Sequence, residues 1–204
     1  MLARRKMVRH YVDEPVSEDV LERILASVRR APSAGFSQGQ RLVVVTDADR
    51  RRAIAELLEE ERSVAEGYEP WLSSAPVHVV VCTREADYHE RYRQEDKLVE
   101  GHEIEWPVPY WFVDAGAAMM ALLMAAIDEG LASGFLGVPA EKHEELKRML
   151  EIPEDVAVVG IATLGRGAPD PRWSASTSRA TQPRRRLDHV VHRERWSGTT
   201  GLSG

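Results

Sequence analysis

The residues best suited to chemistry gather in four short stretches. Arg5-Lys6-Met7-Val8-Arg9 sets three cations within five residues near one end of the chain, and Arg184-Arg185-Arg186 sets three in a row near the other. Between them lie a run of turn formers and small residues, Ala31-Pro32-Ser33-Ala34-Gly35-Phe36-Ser37-Gln38-Gly39, and the segment Gly134-Phe135-Leu136-Gly137-Val138. Cations packed this closely suit a small local anion site. No stretch has the spacing of a dinucleotide fingerprint, a Walker loop, a nucleophile elbow, a zinc-protease helix or a redox CxxC pair. Seven histidines are scattered, and only His189 and His192 have helical spacing, with no third ligand nearby to suggest a metal. Ser33, Ser37 and the other serines lack a context that marks a nucleophile. Chemistry in such a chain falls to a bound cofactor.

The charge distribution sharpens this. The net charge is −6 over 204 residues. Residues 1–10 carry four bases and no acid, residues 172–204 carry seven arginines against Asp188 and Glu194, and the stretch between holds 16 bases against 31 acids. An acidic body disfavours nucleic acid and anionic membranes, which want a broad basic face, while the two basic ends could build one anion site together. With 43% apolar residues, a chain of this length reads as a single domain over 1–196 that buries about 70% of its unfolded surface without disulfide or metal. Cys82, in the apolar run VVVCT, reads as a reduced core thiol. No run of 18 apolar residues and no signal peptide are visible, so the expected compartment is the cytoplasm. The tail SGTTGLSG, 197–204, is expected to be disordered.

The elements that must position these residues follow from periodicity. Residues 17–30 predict a helix capped by Ser17, with Val20, Leu21, Ile24, Leu25 and Val28 on one face. Strands are predicted at Arg41–Thr46 and Pro76–Thr83, with a charged surface helix over Asp49–Ala65 between them. Residues 84–112 break the pattern, charged first and then aromatic around Trp106, Tyr110 and Trp111. So long an insert in a compact domain suggests a functional lid or simple cover for the core. Asp114 is expected to cap a helix over Ala115–Glu129, apolar on nearly every face and closed by Gly130. Such a helix belongs at the centre of a domain or of a subunit interface. A strand and turn at 131–138, a helix at 139–150 begun by Pro139, and a buried strand at 156–164 complete the order.

In this order and spacing, the four stretches resemble the FMN-dependent nitroreductase family, over residues 4–46 and 113–196 with the strand Ala75–Cys82 between. The resemblance implies an α+β fold: a central mixed, mainly antiparallel sheet flanked by helices, in an intertwined homodimer with FMN at the interface. It implies that Arg5 and Lys6 hold the FMN phosphate, with Met7 where the family usually has serine, and that Arg9 faces N1 and O2 of the flavin. A cation there would stabilise the anion formed on hydride uptake. By the same resemblance Pro32, Ser33, Ala34 and Phe36 reach across the dimer to the partner's flavin. Phe36 replaces the family's asparagine, leaving open a differently read flavin edge or a wall of the substrate pocket. Phe135, Leu136 and Gly137 would lie behind the flavin with a backbone N–H toward N5, and Arg184 and Arg185 would complete the phosphate site, Arg186 standing where proline is common. No acidic residue is placed to deliver a proton.

The implied activity is hydride transfer from NAD(P)H to an electron-poor nitroaromatic, quinone or similar acceptor by a ping-pong mechanism, with Phe36, Trp106, Tyr110 and Trp111 shaping the acceptor site. The alternatives are another flavin reaction of the superfamily (reductive dehalogenation, azoline dehydrogenation, flavin cleavage) or non-catalytic flavin binding. Nucleic acid, membrane and metal are not expected partners.

Overall fold

A computed structural model describes residues 2–169 and 184–196. It divides into two units, Met1–Pro169 and Asp170–Gly204. The predicted tail at 197–204 lies outside the described residues.

The first unit is built on a four-stranded sheet of β1 (Gln40–Val45), β2 (Val77–Arg84), β3 (Ala132–Leu136) and β4 (Val156–Gly165), in the order β1-β2-β4-β3. Each of these neighbouring pairs is antiparallel. β2 is buried along nearly its whole length because alternate residues face two different cores. Val77, Val79 and Val81 pack with Leu21, Ile24 and Val28 of α1 (Glu18–Val28) and with Leu122, Leu123 and Ala126 of α5 (Tyr110–Asp128). Val80 and Cys82 pack on the other face with Ile54 and Leu57 of α2 (Ala48–Leu57) and Leu146 of α6 (His143–Met149). The α+β expectation of a mainly antiparallel sheet flanked by helices is therefore borne out. So is the core thiol: Cys82 is buried and free, and burial pushes it up to about 11.

Several boundaries differ from the sequence reading, each for a local reason. The charged helix is two, α2 and α3 (Glu60–Ala65), because Glu59 turns left-handed at φ 57° without a glycine to announce it. α2 starts at Ala48, and Asp47 caps it by accepting from the Arg50 N–H at 2.9 Å. Ser17 stands at the head of α1 without making a capping bond. Pro139 precedes a 3₁₀ turn, Ala140–Lys142, and the helix proper starts at His143. α5 begins at Tyr110, so Asp114 is not a cap but a buried residue inside the first turns. Its far end behaves as expected. Gly130 is left-handed at φ 78°, with bonds from the Gly130 and Leu131 N–H groups to the carbonyls of Ile127 and Ala126. α5 is long and apolar enough to cross a bilayer by length and composition alone. One of its sides packs against α1 and the sheet.

Two close approaches lock β3 in place. A Cβ on Gly134 would stand 2.5 Å from the Val8 carbonyl oxygen, and one on Gly160 would stand 2.4 Å from the Phe135 ring. Glycine at 160 thus leaves a slot in β4 that the Phe135 ring occupies.

His78, fully buried on β2, donates through Nε2 to the Leu72 carbonyl at 2.7 Å. Burial lowers its pKa from 6.5 to about 4. The folded chain thus resists a proton that the unfolded chain accepts at 6.5, so stability is lost as pH falls. Between pH 6.5 and 4 we expect His78 to cost up to about 1.4 kcal/mol per pH unit. Urea unfolding of His78→Gln across that range should show a flatter acid limb than the wild type.

Candidate functional site

Residues 5–11 run beside the outer edge of β3. The Val8 N–H donates to the Ser133 carbonyl at 3.1 Å, and the Phe135 N–H donates to the Met7 sulfur at 2.9 Å. Tyr11 anchors the far end of the segment. Its buried hydroxyl lies 2.8 Å from Thr163 Oγ1, and its backbone bridges Gly167 beyond β4. Burial keeps that phenol protonated well above its usual range, against smaller opposing pulls from the Thr163 hydrogen bond and the Arg9 charge. Exposure then separates these residues: Val8 is buried, while Lys6, Met7 and Arg9 are exposed and Arg5 is half-buried. The structure thus joins two of the predicted stretches, Arg5–Arg9 and Phe135, on one sheet edge. Gly137 lies just past the end of β3, and a Cβ there would meet nothing within 4 Å. Met7, standing where the resemblance implies serine, accepts from the Phe135 amide.

The second assembly is built around the loop at 31–39. Three of its residues are left-handed, Gly35 at φ 58°, Phe36 at φ 61° and Gln38 at φ 53°, which turns Phe36 outward with 70% of its surface exposed. Such a loop needs external supports. The Ala34 N–H donates to Asp114 Oδ2 at 2.8 Å, and the Tyr88 hydroxyl donates to the same oxygen at 2.8 Å. Burial, with the Asp114 carboxylate second, raises the Tyr88 pKa far above its ordinary value. The Ser33 hydroxyl accepts from the Gln38 N–H at 3.0 Å, bracing the loop from within.

The insert supplies the rest of the support. Its charged half forms α4 (Ala86–Tyr92), whose Tyr92 ring covers Gly35 so closely that a Cβ there would stand 2.5 Å from Cε2. Arg91 donates through Nε to the Gly35 carbonyl at 3.0 Å. Trp106 packs edge-on against Tyr92 with centroids 4.5 Å apart and lies about 6 Å from Tyr88, His89, Tyr110 and Trp111. Its Nε1 donates to Glu103, which also holds Arg93 and His89. The hydrogen bond that His89 donates to Glu103 raises the His89 pKa above its ordinary value. Trp106, Tyr110 and Trp111 therefore brace the loop through α4.

In the second unit, Arg184 and Arg185 are exposed, and the Arg186 Nη2 is held by Asp188 at 2.9 Å, ahead of a short 3₁₀ turn, Leu187–His189. Among the described residues, no cluster of His, Cys, Asp or Glu is arranged to hold a metal ion.

The model of the nitroreductase family matches residues 2–166. The chain belongs to the nitroreductase family. It is 28% identical over 200 residues to an FMN reductase [NAD(P)H] of Bacillus subtilis, covering 95% of this chain and 72% of that protein. It is also 28% identical over 198 residues to a putative NADH dehydrogenase/NAD(P)H nitroreductase of Archaeoglobus fulgidus, covering 96% and 97%. Among solved structures, the hypothetical oxidoreductase YcnD from Bacillus subtilis superposes with a TM-score of 0.73 at 27% identity, over 97% of this chain and 74% of that one.

For a nitroreductase, three residues gain importance: Asp114, which the sequence suggested only as a cap, and Trp71 and Glu60, which it did not single out. Asp114 ties the loop to α5 and α4 together. Trp71 lies beside Arg9, its ring centroid 5.5 Å from the guanidinium carbon. Glu60, brought inward by the break at Glu59, accepts from the Trp71, Leu72 and Ser73 N–H groups. The signals were faint: one tryptophan in a loop, and acids among many acids.

Proposed function

We propose that this chain is an FMN-dependent NAD(P)H oxidoreductase that works as a homodimer in the cytoplasm. The observation that carries the reading is the docking of Arg5–Arg9 along β3, which sets three cations and the Phe135–Gly137 backbone on one edge. The donor set fits the group. Arg5 and Lys6 suit a phosphate dianion, Arg9 suits the electron-rich N1 and O2 edge, and the open space at Gly137 admits a flat ring close to the main chain. When bound, FMN supplies hydride exchange between NAD(P)H and an electron-poor acceptor such as a nitroaromatic or quinone, in a ping-pong sequence.

The protein's own work is to hold, polarise and enclose. Arg9 favours the negative charge that hydride uptake creates. The exposed Phe36 at the tip of the braced loop belongs to the partner's site, where it walls the acceptor pocket together with the Trp106, Tyr110 and Trp111 cluster that stiffens it. Dimerisation brings the two assemblies together: the loop of one protomer meets the β3 edge of the other. α5 supplies the contact surface, since Phe112, Val113, Ala117, Met120 and Met124 form an apolar stripe left partly open in one chain.

The test is direct. Purified protein should bind FMN, show a flavin absorbance spectrum, and bleach within seconds on anaerobic addition of NADH or NADPH. Sedimentation should give a dimer. Arg5→Ala should weaken FMN binding about 10- to 100-fold, the loss of one charge-assisted contact. Colourless protein that gains no stability from added FMN would refute the reading.

A further inference from the structure

Taking the flavin reading above as its ground, we infer that Trp71 is a positioning residue for Arg9: its ring, fixed by a turn locked to Glu60, sets where that guanidinium can point. Arg9 is exposed and follows the buried Val8, so the packing that holds the segment does not fix its long side chain. An exposed arginine explores many rotamers, and one aimed at a ligand edge needs a support. Trp71 supplies it, with the guanidinium carbon 5.5 Å from the ring centroid, within the range of a cation–π contact.

The tryptophan is itself held in several ways. Glu60 Oε1 accepts from the Trp71 N–H at 2.7 Å and the Leu72 N–H at 2.6 Å, and Oε2 accepts from the Ser73 N–H at 3.2 Å. Three successive amides converge on one buried carboxylate, which over-determines the turn. Arg51 donates to the Ala75 carbonyl at 2.7 Å, and His78 donates to the Leu72 carbonyl at 2.7 Å. On its other side the ring meets β3: Cζ3 would lie 3.1 Å from a Cβ at Gly134. Trp71 is thus wedged between the rigid sheet and Arg9. The line of support runs from Glu60 through the turn to Trp71 and then to the cation. A preset cation costs less reorganisation when charge develops beside it.

The experiment compares full-length wild type, Trp71→Leu, Arg9→Ala and the double variant, each stripped of flavin and refilled with FMN. Two quantities are read: the FMN dissociation constant by fluorescence quenching, and the midpoint potential of bound FMN against a reference dye. Trp71→Leu should weaken FMN binding about two- to fivefold, the range of one exposed cation–π contact, and make the potential more negative. Arg9→Ala should move both further, and adding Trp71→Leu to it should change neither, because the tryptophan acts only through the arginine. A graded series, Trp71→Tyr and Trp71→Phe, should weaken both effects in the order of ring strength. That series decides the matter should Trp71→Leu fail to fold. Additive effects, or a loss of affinity with an unmoved potential, overturn the assignment while leaving the flavin reading intact. Wild type that does not bind FMN overturns both.

Discussion

Gly134→Ala is expected to detach the amino-terminal segment from β3 and to remove both stability and cofactor affinity. The new methyl would stand 2.5 Å from the Val8 carbonyl oxygen and 2.8 Å from Thr163 Oγ1. Neither neighbour is a flexible side-chain end. The first is backbone, and the second is tied to the Tyr11 hydroxyl at 2.8 Å. Relief requires residues 7–9 to move outward, which breaks the bond from the Val8 N–H to Ser133 and the one from the Phe135 N–H to Met7. Overpacking of this kind costs about 1–3 kcal/mol, and each lost hydrogen bond adds about 1 kcal/mol. A destabilisation of about 4 kcal/mol in urea unfolding is therefore expected for the protein without cofactor. FMN affinity should fall by at least about tenfold, because Arg5, Lys6 and Arg9 leave together. Gly137→Ala is the contrast: its Cβ meets nothing within 4 Å, and stability should stay within about 0.5 kcal/mol. Equal stabilities of the two variants would show that residues 5–9 do not dock as described.

The second large effect is expected at Asp114. Its Oδ2 accepts from both the Tyr88 hydroxyl and the Ala34 N–H, inside a region where the carboxylate is 7% exposed. Asp114→Ala leaves two donors without their acceptor, and hydrogen bonds to a charged group are each worth about 1.5–3 kcal/mol. The expected loss is about 3–5 kcal/mol. Asp114→Asn, which keeps one carbonyl oxygen, should recover part of it, and Tyr88→Phe should lose less than either. The loop should also loosen in the folded state, because Gly35, Phe36 and Gln38 hold left-handed geometry only while it is over-determined. Hydrogen exchange at the Ala34 amide should speed up markedly in Asp114→Ala. An unchanged exchange rate there would mean that the loop holds its shape without α5.

How legible all this was in the sequence depends on the range of the forces involved. β2 and β4 could be read within a residue or two because their burial writes long β-branched runs, and α1 because its apolar positions keep helical spacing. Gly130 announced the end of α5 because a left-handed closure favours glycine. The break at Glu59 gave no such notice, since a glutamate adopts the left-handed turn there and Glu60 is drawn inward by amides 11 to 13 residues away. Asp114 looked like a cap because it precedes an alanine-rich run. Its actual partners lie 26 and 80 residues distant, and no local pattern encodes them. The aromatic run at 106–112 read as an insert, although Tyr110 to Phe112 already belong to α5. Of the site, the cationic and loop segments were visible as types and spacings. The support that Trp71 gives Arg9 was not, because it arises only where two distant segments meet against β3.

The slot in β4 has a consequence for how this family diversifies. A Cβ at residue 160 would stand 2.4 Å from the Phe135 ring and 2.5 Å from the Leu136 carbonyl oxygen, so a side chain can grow at 160 only where the residue at 135 shrinks and the β3 backbone shifts. Residue 135 also carries the amide that meets Met7. Replacements at 135, 160 and 7 should therefore travel together through evolution, as a three-site packing unit in which a change at one position is tolerated only in the company of the others.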